Sequence, residues 1–395
     1  MRTIRIGNPG RGRETLPCGV GERTVIIASV GTSQSSDSTG DEFNKCLAAA
    51  RAGAQVVADH SFYGDIAAFH NRVAKEVDAC LSTVTCYEFA ARHPQREWNT
   101  LDGRRMLDLV AEQAARGVDL MTIHASLTRE DAAHVDDNAR LIPTTSKGGG
   151  IIANYIRLTR RENPYFEYFD DLLDILAEAG VTLSLGTTFR AASVCDGWDE
   201  LMAGEMRRMG ALVDRALARG VPVMVEGIGH SAVSAIPTYI RLAKAYCRGV
   251  PYRVLPMATD RALGFDHISG AIAATVAVAN GADVVTAMSR AEHIGLPTWV
   301  DMEEGIVATR VAAVCGELTK LKDYESERRM SRARWAQGCK GDWRMAVYPE
   351  GAERALQQHG RLDDHLIRCS MCGDFCGITA GIAAVNLGPT RLIDD

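Results

Sequence analysis

The 395-residue chain has 46% hydrophobic and 24% charged residues, a composition that is ordinary for a soluble globular protein. Its formal net charge of −6 excludes a general attraction to nucleic acid or to an anionic membrane surface. Eleven cysteines, odd in number and mostly scattered, indicate reduced thiols rather than a secreted disulfide framework. No stretch resembles a signal peptide or a membrane span, so we expect a cytoplasmic protein without a nucleic-acid or membrane partner.

A repeated order of helix, glycine and apolar strand runs through most of the chain. Strands that alternate with helices and are apolar throughout pair in parallel and are buried on both faces. The length and number of units favour a closed (β/α)8 barrel, so we predict an α/β fold of that kind. Nine runs exceed the eight strands of a barrel, and residues 141–145 give the weakest pattern. The predicted strands cover residues 24–30, 55–59, 81–87, 118–124, 141–145, 181–185, 221–226, 252–257 and 282–288.

The order of strands and helices stops near residue 298. Helical spacing over 303–318, 324–337 and 349–359 then leads to three closely spaced cysteines and a tail. We therefore predict a small helical C-terminal domain that carries a cysteine loop. The predicted segments are an N-terminal arm over 1–23, the barrel over 24–298, the helical domain over 299–360, and the loop and tail over 361–395.

The three cysteines are Cys369, Cys372 and Cys376, in the spacing C-x-x-C-x-x-x-C. Three thiolates suit three irons of a 4Fe-4S cluster and leave the fourth iron open for a small ligand. Two alternatives remain on spacing alone: a zinc site with a distant fourth ligand, and a C-x-x-C redox pair beside an unrelated cysteine.

Polar residues end nearly every predicted strand, where the active sites of (β/α)8 barrels lie. Residues 146–150 (SKGGG) offer a positive charge, a hydroxyl and open backbone N–H groups, which suit a phosphate, although a plain glycine loop has the same pattern. The polar residues at strand ends are Ser29, Asp59, His60, Tyr87, His124, Ser146, Lys147, Gly148, Thr187, Arg190, Glu226, His230, Asp260, Glu292 and His293.

Several of these residues have a structural and a functional interpretation. Arg190 offers a bidentate phosphate contact or lies at the surface. Glu226 is a base, a hydrogen-bond anchor or half of a buried pair. His230 and His293 are metal ligands or hydrogen-bonding histidines. We expect Asp266 to be the N-cap of the helix that it begins.

At this point seven motifs, in chain order, together resemble the ThiC superfamily of radical S-adenosylmethionine (SAM) enzymes. The resemblance spans about residues 24–376. The motifs are residues 121–125 (MTIHA), 146–149 (SKGG), 183–186 (LSLG), 225–230 (VEGIGH), 265–268 (FDHI), 291–297 (AEHIGLP) and 369–373 (CSMCG).

The resemblance implies a (β/α)8 barrel with a helical C-terminal domain, and aminoimidazole ribotide as the substrate. It implies a 4Fe-4S cluster on Cys369, Cys372 and Cys376, SAM as cosubstrate, and a second metal ion, zinc or iron, on His230 and His293. It also implies a homodimer in which the cluster loop completes the neighbour's site, and a one-electron donor such as flavodoxin or ferredoxin. The positions that match the family's substrate contacts are Tyr87, His124, Ser146, Lys147, Gly148, Arg190, Glu226 and Tyr252.

The chain also departs from the pattern of the thiamine enzymes of this superfamily. They have C-x-x-C-x-x-x-x-C with a GPKF spacer, whereas this spacer is GDF. Their paired asparagines become Ala28 and Ser29, and a methionine that lines the substrate becomes Ala58. Three further runs differ: DLSTGG becomes residues 59–64 (DHSFYG), DGLR becomes residues 187–190 (TTFR), starting at Thr187, and GPGHVP becomes residues 227–232 (GIGHSA).

These departures lie around the reacting ring and sugar, while the residues for radical initiation and for the phosphate are kept. We therefore predict a lyase that forms 5-hydroxybenzimidazole from aminoimidazole ribotide, by removal of a ribose hydrogen by a 5′-deoxyadenosyl radical. The nearest alternative is phosphomethylpyrimidine synthase, which uses the same substrate. An alternative of another class is a non-catalytic iron–sulfur or zinc protein.

Overall fold

The computed structural model describes residues 2–9, 12, 14–36, 38–133, 140–338, 340–362 and 371–377. Its contacts divide the chain into two compact units, Met1–Leu321 and Lys322–Asp395. Each unit is described by itself below. Among the described residues, no helix combines the length and the apolar character that crossing a membrane requires.

The first unit begins with an antiparallel hairpin of β1 (Thr3–Ile6) and β2 (Leu16–Gly19), rather than with an extended lead-in. Ile6 and Cys18 of this hairpin are fully buried against Val25 and Val56, which lie at the starts of two barrel strands. The hairpin therefore closes the N-terminal end of the barrel.

Eight parallel strands form a closed barrel, which confirms the predicted fold. Neighbours along the chain are neighbours in the barrel, and the last strand pairs with the first. The near-continuously apolar runs are buried on both faces, against helices outside and against one another inside. The strands are β3 (Val25–Val30), β4 (Val56–Asp59), β5 (Cys80–Val84), β6 (Leu120–Ile123), β7 (Thr182–Leu185), β8 (Val223–Gly227), β9 (Tyr252–Val254) and β10 (Val284–Thr286).

Helices connect the strands and cover the outside of the barrel. Gly53 and Gly180 end two of them in the left-handed conformation, with φ of 99° and 68°, which a residue without a side chain adopts easily. These helices are α1 (Thr39–Ala52), α2 (Ile66–Glu76), α3 (Thr85–Arg92), α4 (Arg105–Ala115), α5 (Arg129–Ala133), α6 (Lys147–Thr159), α7 (Pro164–Glu167), α8 (Phe169–Ala179), α9 (Glu200–Ala218), α10 (Ile236–Tyr246), α11 (Asp266–Ala279) and α12 (Trp299–Lys320).

Residues 141–145 form no strand, so that prediction was wrong. Leu141 and Ile142 are 72% and 46% exposed, and their backbone N–H groups donate to the Asp196 carboxylate rather than to a neighbouring strand. The apolar residues were misleading because this segment is bonded to the loop after β7, where the Thr145 N–H donates to the Arg190 carbonyl at 3.1 Å, and is not inserted between two strands.

Asp266 is also not the N-cap of its helix. Phe265 occupies that position without a side-chain hydrogen bond, and Asp266 is the first helical residue. The Asp266 carboxylate instead accepts from His293 Nδ1 at 3.0 Å, so it serves the site described below.

The second unit contains α13 (Glu325–Gln337), α14 (Pro349–Gln358) and a 3₁₀ turn over Gly373–Phe375. Both helices lie where the sequence predicts them. Neither helix has a buried residue, as their highly charged sequences lead one to expect.

Candidate active site

A cavity of about 400 Å³ opens at the carboxyl ends of β3, β4 and β10. Ser29 at the end of β3 and Lys147 at the start of α6 both line it, as do His60, Phe62 and Glu292. The carboxyl ends of barrel strands carry active sites, so the cavity lies where chemistry is expected.

Helix α6 begins beside the cavity. Ser146 caps it, because its Oγ accepts from the Gly149 N–H at 3.1 Å. The first N–H groups of a helix have no partner within the helix, and the helix dipole adds partial positive charge there. Lys147 adds a full charge; desolvation lowers its pKa, and the Glu292 carboxylate opposes that shift. This helix end is suited to an anion such as a phosphate.

His124, at the end of β6, lies between two glycines. A Cβ atom on Gly148 or Gly186 would approach the imidazole to 2.2 Å or 2.7 Å, so neither position has space for a side chain. His124 Nε2 is 3.1 Å from Ser146 Oγ, and Nδ1 has no partner within the described part of the chain. Burial lowers the pKa of His124 to about 4 although Glu226 opposes it, so the ring is neutral at pH 7.

Glu226, at the end of β8, is buried beside a second buried ion. Its carboxylate accepts from the Thr187 N–H at 3.3 Å and lies 3.8 Å from the Arg253 guanidinium. Burial alone would raise the pKa of Glu226, but the Arg253 and Arg190 guanidinium groups outweigh burial and hold the pKa below its usual value. Glu226 is therefore ionised at neutral pH and accepts hydrogen bonds.

Three buried polar atoms around this point have no hydrogen-bond partner within the residues that the structure describes. They are His124 Nδ1, Thr187 Oγ1 and Arg190 Nε. A buried donor or acceptor without a partner costs about 1–3 kcal/mol, so such atoms are rarely left unpaired. Their concentration at one end of the barrel indicates the place of a polar ligand.

Three predicted contact residues lie deeper than the cavity. Tyr252 is fully buried, and its hydroxyl accepts from the Ile228 N–H at 3.1 Å, so it supports the loop after β8. Tyr87 is 7% exposed and packs behind Phe62. Ala58 packs inside the barrel with Val56 rather than against the cavity.

His230 and His293 come together, with ring centroids 5.3 Å apart. His230 Nδ1 pairs with Asp260 at 2.7 Å, and His293 Nδ1 pairs with Asp266 at 3.0 Å. A carboxylate on one ring nitrogen orients the other nitrogen for a metal, as in many metal sites. Burial lowers the pKa of His230 despite Asp260, which favours the neutral form that metals bind.

In the second unit, a tight turn joins two of the three predicted cluster ligands. Cys376 is buried and Cys372 is half-buried, and the Phe375 N–H donates to the Cys372 carbonyl at 3.0 Å. Gly373 has φ of 50°, which a glycine adopts without strain. Cys369 lies outside the described residues, so the three-cysteine site stays a prediction.

Arg253 and Glu205 also support the site, although neither was predicted from the sequence. Arg253 is 2% exposed and donates to Thr286 and Thr122 at 3.0 and 3.1 Å from inside the barrel. Glu205 accepts from the N–H groups of the loop after β7 at 2.7 and 2.9 Å. The presence of an arginine within an otherwise apolar predicted strand could have indicated Arg253. Nothing in the sequence distinguishes Glu205, because it is one of many acidic residues on predicted helices.

The family model described as the radical SAM ThiC family matches residues 2–381. A phosphomethylpyrimidine synthase from Campylobacter jejuni subsp. jejuni serotype O:2 is 36% identical over 362 residues, covering 91% of this chain and 84% of that protein. The chain belongs to the radical SAM ThiC family. Membership of this family implies a 4Fe-4S cluster and SAM as cofactors.

Two further likenesses were found. A phosphomethylpyrimidine synthase from Desulfotalea psychrophila is 35% identical over 370 residues, covering 92% of this chain and 85% of that protein. A dihydropteroate synthase structure from Coxiella burnetii has a TM-score of 0.48 at 10% identity, covering 81% of this chain and all of that one. A structural likeness of that size carries no argument about function.

Proposed function

We propose that this protein is a radical SAM lyase that uses aminoimidazole ribotide, and that its product is phosphomethylpyrimidine. The observation that carries the substrate is the combination of an anion-binding helix end with buried unpaired polar atoms at one end of the barrel. The names of the two relatives favour phosphomethylpyrimidine over the hydroxybenzimidazole that the altered motifs suggest.

The start of α6 would bind the substrate's phosphate. The Gly148 N–H and the Lys147 ammonium supply donors and charge, while Ser146 holds the helix end in place. Arg190 Nε is a buried donor without a partner among the described residues, and a phosphate oxygen would satisfy it.

His124 and Glu226 would orient the imidazole and sugar. Glu226 is ionised and therefore accepts from substrate N–H or O–H groups. His124 is neutral, and its unpaired Nδ1 offers one directed hydrogen bond. Tyr87 and Tyr252 back these residues, so the protein's part is to orient the substrate and exclude water.

Cys369, Cys372 and Cys376 would hold the 4Fe-4S cluster. When bound, the cluster and SAM would supply the radical chemistry that activates the ribose of the substrate. Within the described residues, no group of three or more His, Cys, Asp and Glu side chains forms a metal site. A second ion, zinc or iron, would therefore take His230 and His293 and complete its shell with substrate, SAM or water.

The second candidate is 5-hydroxybenzimidazole formation from the same substrate. The changed motifs around Ser29, Ala58 and Thr187, and the GDF spacer between Cys372 and Cys376, favour it. These changes alter the walls around the reacting groups, while the start of α6 keeps its charge and its cap.

A homodimer is part of the proposal, with the cysteine loop of one subunit serving its partner. Exposed apolar residues on the first unit support self-association: Ile268 and Ile272 lie one turn apart on α11, and Trp299 and Val300 begin α12, all between 48% and 57% exposed. Ile272→Glu should give a monomer in sedimentation velocity. Val233→Glu, at an exposed residue elsewhere, should leave a dimer; a monomeric wild type would contradict the proposal.

Anaerobic reconstitution with iron and sulfide, followed by SAM, a one-electron reductant and aminoimidazole ribotide, tests the function. Mass spectrometry would identify a hydroxymethylpyrimidine phosphate for the first candidate or 5-hydroxybenzimidazole for the second. Lys147→Ala should raise the substrate Kd and leave uncoupled cleavage of SAM, whereas Lys147→Arg should retain most of the binding. Absence of SAM cleavage by the reconstituted wild type would refute an enzymatic function.

A further inference from the structure

Three rings form one surface beside the cavity; we call His60, Phe62 and Tyr87 the aromatic wall. The rings of Phe62 and Tyr87 are stacked, with centroids 4.8 Å apart and planes at 24°. The His60 ring meets Tyr87 edge to face at 5.5 Å. His60 and Phe62 line the cavity, and Tyr87 packs behind them.

The turn that carries His60 and Phe62 is held on both sides. The Asp59 carboxylate accepts from the Ser61 N–H and hydroxyl at 3.0 and 2.6 Å, and its other oxygen pairs with His70 at 2.7 Å. Ser61 Oγ in turn accepts from the Thr32 N–H at 3.0 Å, which ties this turn to the loop after β3. The wall is therefore a fixed surface, and little ordering is needed when a ligand binds.

Lys147 places the wall next to the phosphate-binding helix end. Its Nζ lies 5.1 Å from the Phe62 ring centroid and 5.3 Å from the Tyr87 centroid. A ligand whose phosphate binds at the start of α6 thus has the aromatic wall within reach of the rest of the molecule. Burial, reinforced by Lys147, Arg253 and Arg190, lowers the pKa of His60 well below its usual value, so its ring is uncharged at pH 7.

We infer that the aromatic wall is the specificity-determining surface for the heteroaromatic ring of the substrate, and that Phe62 is its principal contact. This inference rests on the proposed function, because it concerns the same site. A planar ring gains from offset or edge-to-face contact with aromatic side chains, a gain that a sugar phosphate alone does not have.

The test compares two ligands that differ by the ring: aminoimidazole ribotide and ribose 5-phosphate. Their Kd values are measured by calorimetry on the reconstituted enzyme without reductant, so that no turnover occurs. Phe62→Leu removes the ring but keeps bulk, which matters because Phe62 also lines a second cavity of about 330 Å³. Phe62→Tyr keeps the ring, and Tyr63→Leu changes a 43% exposed ring on the same turn that does not line the main cavity.

Phe62→Leu should weaken the binding of aminoimidazole ribotide by roughly three- to tenfold and leave that of ribose 5-phosphate unchanged. Phe62→Tyr and Tyr63→Leu should bind both ligands as the wild type does. If Phe62→Leu weakens neither ligand, or weakens both equally, the aromatic wall has no ring-binding role, although the proposed substrate stands. If the wild type binds neither ligand, the proposed substrate is wrong and the inference falls with it.

Discussion

Replacing Ser146 by alanine removes two hydrogen bonds at the start of α6. One is the N-cap bond from the Gly149 N–H, and the other is the contact with His124 Nε2, each 3.1 Å long. Loss of an N-cap costs about 1 kcal/mol. His124 is 3% exposed, so water cannot replace the lost partner of its Nε2. An unpaired buried group lowers the free energy of unfolding by about a further 1–3 kcal/mol. We expect Ser146→Ala to lower the free energy of unfolding by about 2–4 kcal/mol.

Ser38→Ala is the matched control for this substitution. Ser38 caps α1 in the same way, because its Oγ accepts from the Asp41 N–H at 3.2 Å, but no imidazole among the described residues bonds to it. We expect this control to lose only the cap contribution of about 1 kcal/mol. Urea denaturation followed by circular dichroism, with equal slopes for all variants, gives the difference between the two losses.

That difference measures the bond between Ser146 and His124. If Ser146→Ala destabilises the protein no more than Ser38→Ala does, His124 is not held by Ser146, and the proposed geometry of the phosphate site is wrong. A second measurement is the Kd for aminoimidazole ribotide, which should rise in Ser146→Ala because the first turn of α6 loses its cap, and should not change in Ser38→Ala.

Three further predictions concern pH, a buried charge and the cysteine loop. The pKa of His124 is about 4 in the folded chain against an ordinary 6.5, so the unfolded chain binds more protons between these values. The free energy of unfolding of the wild type should therefore fall as the pH falls from 6.5 to 4. Its fall should be steeper than that of His124→Asn by up to about 1.4 kcal/mol per pH unit, and parallel stability profiles of the two proteins would refute this. The Asp283 carboxylate is 1% exposed and accepts from Lys244 and, at 3.1 Å, from Lys320. Asp283→Asn should therefore lower the free energy of unfolding in urea by about 3–5 kcal/mol. Asp214→Asn, which changes an exposed ion pair, should have no measurable effect. Cys376→Ser should abolish the iron–sulfur absorbance and the bound iron after reconstitution. Cys315→Ser, at an exposed cysteine of the first unit, should retain both. Equal iron contents in the two variants would exclude Cys376 as a ligand.

The barrel was predictable because its strands are buried on both faces and therefore read as apolar runs between helices. The failure at residues 141–145 has the same origin, since a short apolar run does not show whether it lies in a sheet or on the surface. Leu141 is 72% exposed, and neither composition nor spacing shows that. The hairpin below the barrel was missed because its buried Ile6 and Cys18 stand among arginines and glycines, which suggested an extended arm.

In the candidate site, the residues at strand ends could be listed from the sequence, but their partners could not. Asp260 and Asp266 hold His230 and His293 from positions 30 and 27 residues away in the chain, and no local pattern encodes such pairs. Phe62 was noted only as part of a changed motif. Its role as a wall depends on Tyr87, which follows a different strand, so the stacking became apparent only in three dimensions.

The charges around the site explain why a phosphorylated ligand suits it better than a neutral one. Lys147, Arg190 and Arg253 all act on His60, Arg190 and Arg253 act on His124, and burial keeps both imidazoles uncharged. The Glu226 carboxylate acts on Arg253, and the Glu292 carboxylate acts on Lys147. Desolvated charge of one sign is costly, as the lowered pKa values of Lys147 and Arg253 indicate. A phosphate monoester at the start of α6 would offset the buried charge of Lys147, and the remaining ring and sugar would then reach the ionised Glu226, the neutral His124 and the aromatic wall.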